Sequence, residues 1–135
     1  MFKVARTALG LEDGYMSAMW PYMDPDKRLV YHLGETTTTE DESLIFIFHT
    51  LEKATNWIKQ QSGLDRWGVV LRVRAAGVEN PRGAILPADF TKEEFRQFWH
   101  HNRLICAPKL VPAGTGWAKW VTPIEVVWAG TDVCV

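Results

Sequence analysis

The chain has only two cysteines, Cys106 and Cys134, in 135 residues. That is too few for the disulfide framework of a small secreted domain, and it fits a reducing, cytoplasmic compartment, with a single bridge between the two left open. Long apolar runs are also missing. The longest, "LIFIF", is far short of the ~20 residues a membrane helix needs, so no membrane partner is expected. The opening "MFKVARTALGLEDG" turns polar before any apolar run reaches the length of a signal-peptide core, and no leader is expected. Nor is there an excess of either charge: the formal net charge is −1, which gives no global attraction for polyanions, and nucleic acid is not the expected partner.

With 47% hydrophobic and 23% charged residues, the composition is that of a globular protein. A chain of this length buries roughly two thirds of its unfolded surface, enough for one core, and no linker divides it. Residues 1–135 are expected to form a single α+β domain. Alternating segments "FKVARTA" (2–8) and "RLVYHLG" (28–34) read as strands, with a turn at "EDG" (12–14). "ETTTTEDES" (35–43) has no apolar residue and reads as a mobile loop. "LIFIF" (44–48) has the length and composition of a strand covered on both faces.

Leu51, Ala54, Thr55 and Ile58 then recur at helical spacing, which predicts a helix over about 51–62 ending near Ser62-Gly63. In "WGVVLRVRAAG" (67–77), Val69, Leu71 and Val73 face one way and Arg72 and Arg74 the other. A second principal helix is predicted over about 92–103, opened by a Thr91–Glu94 capping box and a Phe90–Phe95 staple. The last stretch reads as short strands broken by Pro108, Pro112 and Pro123, with a glycine turn at 114–116. The sheet is expected to be mixed or mainly antiparallel.

Most groups that could carry chemistry have a simpler structural role. His49 stands where a strand passes into a helix, with Thr50 placed to cap and Glu52 suited to the positive helix end, so no catalytic role is needed to explain it. His100 and His101 are helix neighbours pointing about 100° apart and cannot chelate one ion, so no metal is expected. Cys106 in "LICAP" has the apolar flanks of a buried, inert thiol, and Glu40 and Glu42 sit in a polar segment where both are solvated. No cofactor is implied.

Seven tryptophans are more than a small core needs. An indole with an apolar body and a polar N–H makes a good wall for a cleft or an interface. Trp117 and Trp120 would fall on opposite faces of one strand, which puts at least one outside the core. Arg72 and Arg74 project together from the non-core side of their strand, Arg6 can do so from the first, and arginines on a sheet face can grip a carboxylate or phosphate. Arg6, Arg72, Arg74, Trp117 and Trp120 are therefore the candidate ligand-binding residues.

In "FKVAR", "SAM", "VYHLGETT", "LIFIFHTLEKATNWI" and "VLRVRAAGV", residues 2–78 resemble small, functionally unassigned α+β proteins of microbes and their viruses. This resemblance implies a compact sheet-and-helix domain and no particular activity. A looser similarity is to the ADP-ribosyltransferase superfamily, where a strand, a helix with an alanine and an aromatic such as Ala54 and Trp57, and a further strand form half of the nicotinamide pocket. In its arginine-serine-glutamate branch, Arg6, Ser17 and Glu42 would be the counterparts. Two functions follow as expectations. The first is a noncatalytic binding or interaction module that uses a tryptophan- and arginine-rich surface for a protein partner or small anionic ligand. The second is an enzyme acting on a nucleotide-like or other anionic small molecule.

Overall fold

The strand marked most clearly by alternation, β6 (Gly68–Ala76), is the axis of the fold. The computed structural model describes residues 1–7, 14–18, 29–39, 45–61, 63–78 and 115–133. Around β6 lie β1 (Phe2–Thr7), β2 (Gly14–Ser17), β3 (Val30–His32), β4 (Thr37–Thr38), β5 (Ile45–Phe48), β7 (Thr115–Ala118) and β8 (Trp120–Ala129). The helices are α1 (Leu51–Lys59) and the single turn α2 (Leu64–Trp67). Every described pairing is antiparallel, in the order β3-β2-β1-β6-β8-β4, with β5 bridging β1 to β7. The fold is α+β and strand-rich.

The two ends of this series, β3 and β4, are successive in the chain. Thr37 Oγ1 donates to the Val30 carbonyl at 3.1 Å, and Gly34 N donates to the Pro123 carbonyl at 2.8 Å, so the sheet curls nearly into a barrel. One face becomes an interior of Ala5, Tyr31, Ile45, Ile47, Val69, Leu71, Val73, Ala118 and Val121. On the other face, Val4, Phe48 and Val70 pack against Ala54 and Ile58 of α1 and Leu64 of α2. Both faces of β5 are covered, because Ile45 and Ile47 enter the first cluster and Phe48 the second.

Helix α1 starts as its sequence requires: Thr50 is extended at φ −132° and its hydroxyl accepts from Lys53 N at 3.2 Å. It ends earlier than periodicity alone suggests, at Lys59 instead of near residue 62. Gln60 N turns to the carbonyls of Trp57 and Ile58, which tightens the last turn, and a second, one-turn helix follows Gly63.

Three further departures have physical reasons. Thr37–Thr38, inside the segment expected to be a loop, form β4 opposite Val121 and Trp120, because β-branched threonines suit a pleated strand without being apolar. Pro123 does not break its strand. It lies within β8 beside a register shift that leaves Ile124 extra between Pro123 and Glu125, a bulge where the missing N–H is tolerated. Gly116, expected in a turn, is a strand residue of β7 instead, and a β-carbon there would come within 3.2 Å of His49 Cε1. The predicted helix at 92–103 with Thr91, Glu94, Phe90 and Phe95, the prolines at 108 and 112, and the segment 40–44 lie outside the described residues.

Candidate binding surface

Antiparallel partners point to the same face, so the ladder between β6 and β8 fixes what the outer side of this part of the sheet presents. Arg72 stands opposite Glu125, Arg74 opposite Thr122, and Ala76 opposite Trp120. Across β8, Trp120 faces Thr38, and the Thr36 and Thr122 hydroxyls meet at 2.7 Å. Arg74 and Trp120 are thus diagonal neighbours, within reach of long side chains. The α1 side chains pack farther along the sheet, on Val4, Phe48 and Val70.

The charges on this face differ in their engagement. Arg72 Nη2 is paired with Glu125 Oε1 at 2.8 Å, and both side chains are about half exposed. Arg74 is exposed and, among the described residues, makes no hydrogen bond or ion pair. Trp120 is half-buried, and beside it the Lys119 stem lies over Gly77, where a β-carbon would fall 2.7 Å from Lys119 Cγ. The described part of this face is a strip with one guanidinium that no described group engages, an indole and a row of threonine hydroxyls.

The other two sequence candidates lie elsewhere. Arg6 shares the outer face but pairs with Gly68, four positions along β6 from Arg72, which is roughly 13 Å of strand. Trp117 is 3% exposed in β7, edge-on to Phe46 with ring centres 5.8 Å apart. Trp117 and Trp120 do not share a strand, because the chain bends at Lys119 between β7 and β8. Ser17 stands opposite Ala5 on the interior face, whereas Arg6 stands opposite Met16 on the outer face. Arg6 and Ser17 therefore cannot line one pocket from the same side of the sheet. Glu42, His100, His101, Cys106 and Cys134 lie outside the described residues. Among the described residues no cluster of histidine, cysteine or carboxylate could hold a metal ion, and no helix is long and apolar enough to cross a membrane.

Two features escape a reading of the sequence. At the Arg6 end of the sheet, Trp67 is 41% exposed under the Arg66 guanidinium, which lies 5.7 Å from its ring centre and is tied to Asp132 at 2.6 Å. Inside the barrel, Lys3 donates from Nζ to the Phe46 carbonyl at 2.9 Å and lies 5.6 Å from the centre of the Tyr31 ring. Burial lowers the Lys3 amine from its ordinary 10.5 to about 7. It also pushes the Tyr31 phenol upward, against the smaller opposite pull of a hydrogen bond from Ser17. Only a basic residue at an interior position of β1 hints at this, and alternation cannot flag it when both faces of a strand are covered. No protein-family model matches the chain, and neither a curated protein nor a solved structure is significantly similar to it.

Proposed function

We propose that this protein is a noncatalytic binding module, and that the outer face of β6, β8 and β4 takes an acidic segment of a protein partner. The observation that carries this reading is the exposed Arg74, which meets no ion-pair or hydrogen-bond partner among the described residues, beside the half-buried Trp120. A guanidinium without a carboxylate of its own can accept one from a partner in bidentate fashion, and an adjacent indole supplies apolar contact at low entropic cost. Arg72 contributes less, since Glu125 already occupies it. The described groups on this face are two arginines, one paired carboxylate, threonines and an indole, which is recognition chemistry without a proton-transfer pair. The Trp67 end of the sheet is the weaker candidate because Arg66 is neutralised by Asp132.

The test is a titration of the isotopically labelled chain with a hexapeptide of alternating glutamate and leucine, followed at the indole N–H signals. The Trp120 signal should move in a saturable, salt-sensitive manner and the Trp67 signal should not, while Arg74→Glu abolishes the movement. Equal movement of both indoles, or a response unchanged in Arg74→Glu, would place binding elsewhere. A response to single-stranded DNA and none to the peptide would replace the acidic partner with a nucleic acid.

A further inference from the structure

We propose that Lys3 is a proton-operated latch between β1 and β5, holding the β5–α1 unit against the barrel when its amine is neutral and releasing it when the amine is protonated. The seam it spans is short. β1 and β5 share a single register pair, Phe2 opposite Phe48, and the bond from Lys3 Nζ to the Phe46 carbonyl extends that pairing through a side chain. β5 continues through His49 and Thr50 into α1, which rests on Val4 and Val70 through Ala54 and Ile58. Whatever strengthens or weakens the seam therefore acts on a strand and a helix together.

The surroundings of the amine decide which protonation state the closed form tolerates. An ammonium has three donors to satisfy, and among the described residues one acceptor is in place. From β6 the neighbours are Val69, Leu71 and Val73, with Arg72 and Arg74 on the opposite face. On β1 itself Arg6 points outward. Tyr31 faces the amine from β3, its phenol kept without charge at neutral pH by burial, and Tyr15 packs at the same interior from β2, while His32 lies on the other side of β3. β5 contributes Ile45, Ile47 and a backbone carbonyl, β7 contributes Ala118, and Glu125 of β8 is outside with Arg72. No described carboxylate pairs with Lys3. Among the described groups, the Phe46 carbonyl and the ring of Tyr31 favour the charged form, and together they do not replace the lost water.

The direction follows from linkage. With the closed-state amine at about 7 and a solvated one at 10.5, opening takes up a proton between those values. The opening equilibrium is therefore greatest and flat below pH 7, and falls up to tenfold per pH unit above it. At neutral pH the latch is near its midpoint.

Two measurements on the full chain test this. In the unaltered protein, the Lys3 side-chain methylene next to the amine, followed by NMR between pH 5.5 and 11, should titrate near 7. A midpoint near 10 overturns the proposal. Amide exchange across β5 and α1, corrected for intrinsic rates, should show protection rising up to tenfold per unit from pH 7 to 9, with less change in β6 and β8. That slope should vanish in Lys3→Met. A slope that persists in the variant, or one equal in all strands, shows that no latch operates at this seam.

Discussion

At the scale of single residues, burial separates side chains that composition treats alike. Trp117 and Trp120 are three apart, yet one is enclosed against Phe46 and the other lies half open beside Arg74. Trp117→Ala should cost about 3–5 kcal/mol of stability by emptying a packed site. Trp120→Ala should cost under about 2, because less apolar surface is removed from water. Denaturant unfolding of the two variants checks the order, and a larger loss for Trp120 would contradict the assigned burial. Alternation in "VVLRVRAA" was enough to place Arg72 and Arg74 on the outer face. It was not enough for Lys3, since "FKVAR" alternates equally well whether lysine or its neighbours face water. The barrel closes over the side that carries the lysine, while helices cover the side carrying Phe2 and Val4, and parity alone cannot announce that both sides are buried.

At the scale of elements, the junction read from the sequence as a strand exit into a capped helix is built that way. His49 is exposed and lies against Gly116, while Thr50 supplies the helix cap. Thr50→Ala should lower stability by about 1 kcal/mol through loss of that cap, with faster amide exchange at Lys53. His49→Ala should leave the Lys53 exchange rate unchanged. If the histidine variant unravels the first turn and the threonine variant does not, the capping assignment is wrong. The beginning of α1 was legible because a cap, an acidic first turn and a periodic stripe coincide within a few residues. Its end was less so, because the tightened turn at Gln60 and the new helical turn after Gly63 depend on where Leu64 packs. Pro123 shows the same limit from the other side: a bulge in a long strand absorbs a residue that, read locally, would end one.

At the scale of the whole molecule, the closure of the sheet joins residues far apart in sequence, and β4 is where this matters most. A loop of polar residues between two strands tolerates loss of length, since closure entropy changes only logarithmically with loop size. Thr37 and Thr38 are not such a loop. They pair with Val121 and Trp120, the Thr37 hydroxyl bonds the Val30 carbonyl, and the neighbouring Thr36 hydroxyl meets Thr122. Deleting both residues removes the ladder to β8 and the side-chain bond to β3 at once, exposing or orphaning several backbone groups at about 1 kcal/mol each. The expected loss is about 2–4 kcal/mol. The Trp120 face should also lose its acidic-peptide response, because β4 flanks it. In the intact chain, amide exchange should find Thr38 protected. A deletion that leaves the unfolding midpoint unchanged, together with rapid exchange at Thr38, would mean that the sheet stays open at this edge and that the proposed binding face ends at β8.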